Sequence, residues 1–216
     1  MARGFIDGEY QDGEVRGMEF IIGNRGYGKT CEMIRLMDQC TGRVWMFDTI
    51  GTHAHLFKAP TVHQPEDLRK LAMTQRRLRY VPLGGDRVLH FRSFCALARG
   101  FGNVVLGADE LNEFCDPVWG RSWMPPELNG IVQYGRHWRI AMIGSARELP
   151  SVSKAYRQSC EHFRMFNLTD PDYLREVGKV VGRDVAAKLP SLPKFKYLLW
   201  RKGGSGAELK GKLRKV

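Results

Sequence analysis

Gly23-Asn24-Arg25-Gly26-Tyr27-Gly28-Lys29-Thr30 spells GxxxxGK[ST], and how this stretch is read decides the fold. Phe20-Ile21-Ile22 just before it reads as a short apolar strand, and Cys31 to Met37 just after it as a helix. That strand–loop–helix context is what a phosphate-binding P-loop requires. The glycines let the backbone turn tightly, so successive N–H groups point at a β-phosphate. The helix that starts near Lys29 adds the positive end of its dipole. Lys29 is expected to bridge the β- and γ-phosphates, and the Thr30 hydroxyl to ligate Mg²⁺. The flanking pattern argues against a glycine-rich turn with a chance lysine. ATP with Mg²⁺ is the expected ligand.

The second signal is Asn103-Val104-Val105-Leu106-Gly107-Ala108-Asp109-Glu110, a mostly apolar strand ending in two carboxylates. An aspartate at such a strand end helps to hold Mg²⁺, and a glutamate after it can polarise a water as general base. Two adjacent acids alone make an ordinary polar boundary; beside a P-loop they point to hydrolysis. A kinase of small molecules needs no water-activating base, because its acceptor is a substrate group. Further on, Arg139-Ile140-Ala141-Met142-Ile143-Gly144-Ser145 reads as the next core strand. Ser145 at its tip fits a sensor of the γ-phosphate. Arg136 is the first choice for an arginine reaching a neighbouring subunit's nucleotide, with Arg147 and Arg157 as the other options.

The remaining elements alternate. Val44 to Asp48 and Leu78 to Pro82 read as strands, and Pro65 to Arg77 and Phe91 to Ala98 as helices. His162 to Asn167 reads as a strand. Asp170-Pro171 opens a helix with Asp170 as N-cap and Pro171 in the first helical position. Lys196 to Trp200 gives a last strand. Strand–helix alternation with short loops implies an α/β fold: a mostly parallel central sheet flanked by helices on both faces. Nucleotide then sits at the carboxyl ends of the strands. The stretch from Gly51 to Gln64 holds His53, His55 and His63, but without nearby acid or cysteine partners it reads as a plain loop rather than a metal site. Residues 1–17 read as an arm, 18–200 as the ATPase domain and 201–216 as a basic tail with Lys210, Lys212, Arg214 and Lys215. Trp119, Trp123 and Trp138 are expected in core or interface.

The chain has 216 residues, 43% of them hydrophobic and 26% charged, as in one ordinary globular domain. Its charge is less ordinary. Lysine and arginine total 34 against 23 acids, a net charge of +11, which favours polyanion partners and above all nucleic acid. Five cysteines with no CxxC pair argue against a disulfide scaffold or zinc site. No run approaches the roughly 18 apolar residues of a membrane span, and the amino terminus lacks a signal peptide's apolar stretch. The expected setting is therefore cytosol-like.

Taken together, the Gly23–Thr30 loop, the Val104–Glu110 strand, Gly135-Arg136-His137, Ser145 to Pro150, Ser153-Lys154-Ala155-Tyr156-Arg157, Phe163-Arg164-Met165-Phe166 and Asp170-Pro171-Asp172 resemble the FtsK–HerA superfamily of DNA-pumping ATPases. The short length is similar to its genome-packaging members from membrane-containing icosahedral viruses. The resemblance implies a RecA-like P-loop fold, double-stranded DNA bound without regard to sequence, and assembly into a ring, expected to be a hexamer. It also implies contact with a capsid vertex or internal membrane proteins, in virion and host cytoplasm. The family usually carries a glutamine in a Thr/Ser-Gln-Arg-Pro stretch, where this chain has Ala146. The His53–Lys58 loop and the Gly84-Gly85-Asp86-Arg87 turn are candidates for lining the ring's pore. Three rivals remain open at this point. One is a phage assembly or secretion ATPase, which generally adds a membrane span. The second is a small-molecule kinase with Arg76-Arg77-Leu78-Arg79 as its lid. The third is a scaffold that binds nucleotide without turnover.

Overall fold

The computed structural model describes Val15 and residues 17–115, 123–147, 149–204 and 206–211. Most of the arm, Trp119, and Lys212, Arg214 and Lys215 of the tail lie outside the described residues. The elements run β1 (Met18–Ile22), α1 (Lys29–Asp38), β2 (Arg43–Phe47), β3 (Thr61–Val62), α2 (Pro65–Ala72), β4 (Arg77–Tyr80), α3 (Arg87–Phe101), β5 (Val104–Ala108), a 3₁₀ turn (Leu111–Glu113), α4 (Pro126–Trp138), β6 (Ile140–Ala146), α5 (Lys154–Ser159), β7 (Cys160–Met165), α6 (Pro171–Val181), α7 (Arg183–Ala186), a second 3₁₀ turn (Leu189–Ser191), β8 (Tyr197–Arg201) and β9 (Ala207–Lys210).

Among the described residues the strands form one nine-stranded sheet in the order β3-β4-β2-β5-β6-β1-β7-β8-β9. Pairing is parallel from β3 to β7, and β8 and β9 are added antiparallel. The basic stretch after residue 200 thus supplies, through Lys210, an edge strand. Short β3 lies within the stretch that the sequence reads as a loop, because two residues carry too little alternation to register as a strand.

Near-continuous apolar runs in β1, β2, β5 and β6 follow from burial on both faces. On one face Phe20, Trp45, Phe47, Leu106 and Met142 meet the helices from α2 to α7. Phe47 stacks on Tyr80 and meets Phe91, Phe94 and Phe114 edge-on. Each such aromatic pair contributes about 0.5–1.5 kcal/mol beyond area burial, and Phe114 thereby ties down the turn that follows Glu110. On the other face α1 packs Met33, Ile34, Leu36 and Met37 against Val44, Met46, Val105 and Ile143. Gly107 allows this close approach, since a Cβ there would collide with the Met37 thioether.

Register lines up the carboxyl ends of the central strands. Phe47 pairs with Ala108, Ala108 with Gly144, and Ile21 with Ser145. Asp48, Asp109, Ser145 and the P-loop therefore stand side by side along one edge of the sheet. Among the described residues no helix is long and apolar enough to cross a membrane.

Candidate nucleotide-hydrolysis site

The loop leaving β1 turns through Gly23 (φ 143°), Gly26 (φ 79°) and Gly28 (φ 106°). These are values that side-chain-bearing residues rarely take. At Gly23 a Cβ would also lie 2.6 Å from the Phe166 Cβ. Gly28 is the N-cap of α1 and uses no side chain for capping, so the first N–H groups of the helix face the loop. Asn167, just beyond β7, fixes the loop from outside. Its carbonyl accepts from the Asn24 N–H at 2.8 Å, its Oδ1 accepts from Asn24 Nδ2 at 2.9 Å, and its own amide donates to Pro190 O.

Lys29, at the start of α1, is buried and donates to the carbonyls of Gly23 (2.8 Å) and Asn24 (3.2 Å). Burial draws its pKa down, against the opposing charges of Glu110 and Asp109. Its ammonium thus lies over the loop, in the same field as both acids. Thr30 donates its hydroxyl to Asp109 Oδ2 at 3.1 Å, although 79 residues separate them. An octahedral Mg²⁺ with ligands at about 2.0–2.1 Å holds neighbouring ligand oxygens about 3 Å apart. The pair has that spacing and the hard-oxygen chemistry that Mg²⁺ requires.

Asp109 has a full set of donors and no lysine or arginine within ion-pair reach among the described residues. Oδ2 faces the Thr30 hydroxyl and, at 2.8 Å, His53 Nε2. Oδ1 accepts from the Ser145 hydroxyl and the Glu110 N–H. The Asp109 carbonyl accepts from Thr49. Burial pushes its pKa up, but hydrogen bonds from His53, Ser145 and Thr30 outweigh this and hold it below the usual carboxylate value.

Glu110 turns away in the left-handed region (φ 53°, ψ 49°), a conformation uncommon outside glycine and a sign of local strain. Its Oε1 lies 3.4 Å from both Nε and a terminal nitrogen of Arg147. Arg147, one of the options for a trans arginine, thus faces the acid of its own chain. Arg136 sits in the last turn of α4, at the amino ends of the strands and away from its own P-loop. It is 83% exposed and pairs with Glu161 at 3.2 Å. Buried Ala146 ends β6 beside Ile22.

His53, which the sequence places in a plain loop, reaches this site. Asp48, at the end of β2, accepts the N–H groups of Gly51 and His53 and is bound by Arg79 at 2.9 Å. This fixed turn delivers the imidazole to Asp109. Burial works against its charged form, but the bond to Asp109 and the charges of Asp48 and Asp109 raise its pKa above the ordinary value. The available signal was an acid at a strand end followed by a short loop holding a histidine. Its target depended on β2 lying beside β5. Of the arginines that could form a kinase lid, Arg77 and Arg79 are instead built into β4, and exposed Arg76 stands just before it. Buried Arg79 holds Asp48 and Thr61, and Arg77 pairs with Asp38 and covers the Phe57 ring. Asp86, in the Gly84–Arg87 turn, caps α3 through the N–H groups of Val88 and Leu89. No three His, Cys, Asp or Glu residues converge as a metal cluster among the described residues.

No protein-family profile and no curated protein matches the sequence. Solved structures do match. The genome-packaging NTPase B204 of Sulfolobus turreted icosahedral virus 2, in complex with AMPPCP, superposes with a TM-score of 0.74 at 14% identity, covering 90% of this chain and 96% of that one. B204, the DNA-packaging ATPase of Sulfolobus turreted icosahedral virus, gives 0.72 at 15% identity over 91% and 97%. The cytoplasmic domain of the type VII secretion ATPase EccC from Thermomonospora curvata gives 0.60 at 11% identity, covering 93% of this chain but 24% of that one. The fold is that of the P-loop ATPases. The resemblance to viral packaging ATPases read from the motifs is matched by a likeness of fold over nearly the whole of both chains.

Proposed function

We propose that the chain is an ATPase that converts ATP and water to ADP and phosphate and uses the reaction to move double-stranded DNA, as a viral genome-packaging motor does. The observation that carries the hydrolytic part is the meeting of Thr30 and Asp109 at 3.1 Å, with Lys29 over the loop and Glu110 next in sequence. The DNA part draws support from the net charge of +11 and from the packaging ATPases among the structural neighbours.

In this reading the N–H groups of residues 23–30 and the α1 dipole bind the phosphates. Lys29 exchanges its loop carbonyls for phosphate oxygens and neutralises charge as the γ-phosphate leaves. Thr30 and Asp109 would hold Mg²⁺, which would supply neutralisation of phosphate charge. Glu110 orients a water for in-line attack and takes up its proton. Arg147 holds the Glu110 carboxylate until nucleotide is bound. Ser145, on the strand between the P-loop strand and the Asp109 strand, reports the γ-phosphate through its bond to Asp109. Arg136, remote from its own loop and exposed, is offered to the nucleotide of the next subunit in a ring, which we take to be a hexamer. Such a trans arginine is worth roughly 10³–10⁵ in rate in GTPases. Capsid-vertex or internal-membrane contacts, and a place in the virion as well as the host cytoplasm, follow from the same reading.

Steady-state phosphate release, with and without double-stranded DNA, tests it. Wild type should be stimulated by DNA, and Glu110→Gln should lose about 10²–10⁴ in turnover while still binding nucleotide. Turnover indifferent to both DNA and the substitution would defeat the reading and favour a small-molecule kinase.

A further inference from the structure

On the many-helix face of the sheet, α5, α6 and the β7–β8 pair enclose a cleft of about 730 Å³. Its position follows from topology. α5 enters β7 at Cys160, at the amino end of the parallel strands. Antiparallel β8 brings Trp200 opposite Phe163 and Arg201 opposite His162, which carries Lys202 to the same end. The cleft therefore opens at the end of the strands opposite to the P-loop.

Four cations line it: Lys154 and Arg157 from α5, Lys179 from α6, and Lys202 just after β8. Against them stands one acid among the described lining residues, Glu176, already paired with Lys179. Lys202 is steadied by donating to the Gln158 carbonyl at 2.7 Å. Arg157 is anchored through Nε to the Val152 carbonyl at 2.9 Å and forms no ion pair among the described residues. Burial works against its charge, only partly offset by Glu176. Trp200, edge-on to Phe163 at 5.6 Å, gives the cleft an apolar wall.

We infer that this cleft grips the phosphate backbone of double-stranded DNA, with Lys154, Arg157 and Lys202 as its phosphate contacts. The inference rests on the translocase reading above. The chemistry favours a polyanion. The four cations of the cleft are long, mostly exposed side chains from α5, α6 and the turn after β8, which select by charge rather than by shape, as backbone contacts to nucleic acid do. A small phosphorylated ligand would call for converging backbone amides, as at the P-loop. Separation from the P-loop lets ATP and DNA be held together, as a motor requires.

The test is fluorescence anisotropy of a labelled mixed-sequence duplex, titrated with the full chain at several salt concentrations. Lys154→Gln/Lys202→Gln is compared with wild type and with Lys70→Gln/Arg76→Gln, which removes the same charge from the opposite edge of the sheet. Binding of a fluorescent ATP analogue reports that each variant is folded. The cleft variant should bind DNA at least about tenfold more weakly at low salt, with a log–log salt slope shallower by about 1.8. The control should change little. Equal losses in both variants would reduce the effect to net charge and overturn the inference. So would wild-type-like binding by the cleft variant, with the translocase reading left standing. Failure of wild type to bind DNA at all would sink both. Tighter, cleft-dependent binding of polyglutamate than of duplex would replace DNA by an acidic protein segment and overturn the inference as well.

Discussion

Two buried carboxylates flank α1, and they are satisfied in opposite ways. Glu32, in the first turn of the helix, is fully buried and gripped by permanent cations. Arg35 binds it through two bonds of 2.7 Å, Arg164 Nε lies at 3.1 Å and the Tyr197 hydroxyl at 2.9 Å. Arg164 also pairs with buried Glu19, whose other oxygen faces His162. With His162 neutral, Glu19, Glu32, Arg35 and Arg164 sum to zero charge. Asp109 is almost as buried, but two hydroxyls, an imidazole and a backbone N–H satisfy it. Hydroxyl and amide donors, and an imidazole that can give up its proton, can be exchanged for a cation at modest cost, whereas a bidentate guanidinium cannot. The first cluster fixes α1 to β1, β7 and β8; the second is a site.

The comparison breaks most visibly at Arg164. Arg164→Met leaves Glu19 and part of Glu32 buried without compensation. Removing one partner of a buried ion pair costs about 3–5 kcal/mol. Urea unfolding at neutral pH should show a loss of that size, with the P-loop of the surviving folded fraction still binding nucleotide. A loss under about 1 kcal/mol would mean that the cluster is as exchangeable as the Asp109 site.

Asp109→Asn is the matched change at the open site, and its signature should be inverted. The amide keeps one acceptor oxygen for hydroxyl donors, so the stability of the metal-free protein should move by less than about 1.5 kcal/mol. The Mg²⁺ dependence of nucleotide binding should shift by at least about 10–100-fold, the penalty already seen for losing an outer-shell partner of a metal. Isothermal titration with and without EDTA separates the two quantities. A large stability loss without a change in Mg²⁺ dependence would make Asp109 a structural carboxylate like Glu32.

How much of this was legible in the sequence follows the same divide. The P-loop is a local device: its glycines, lysine and threonine act through backbone geometry within a few residues, so Gly23 to Thr30 can be read in line. The apolar runs of β1, β5 and β6, and the caps at Asp170 and Pro171, are local too, and the structure has Asp170 accepting from Asp172 and Tyr173. His53 was missed because its partner lies 56 residues away and is reached only when β2 and β5 are neighbours. Arg79 looked like a lid arginine because nothing near it announces Asp48. The Glu19–Arg164 and Glu32–Tyr197 contacts span far more of the chain. Even charges that look like surface residues in sequence become core when strand order brings opposite signs together.

The smallest effect lies in the two histidines of these clusters, whose pKa values move in opposite directions. His162, in the closed cluster, is lowered by burial and by the charge of Arg201, against Glu161. Its folded state favours neutral imidazole, so the stability tied to it is complete above the unfolded value of about 6.5 and is lost as pH falls towards the folded value. His53 is raised, its acidic neighbours outweighing burial. Its contribution is complete below the unfolded value and fades as pH rises through the folded one. Urea unfolding in EDTA at pH 5.5, 6.5 and 7.5 should therefore show the gap between wild type and His53→Gln shrinking as pH rises. The gap between wild type and His162→Gln should move the other way. Both slopes should stay within a fraction of a kcal/mol per pH unit, because solvent reaches each ring and screens it. Slopes of the same sign would mean that one imidazole sits among different charges from those described, and His53, bonded to Asp109, would be the first to re-examine.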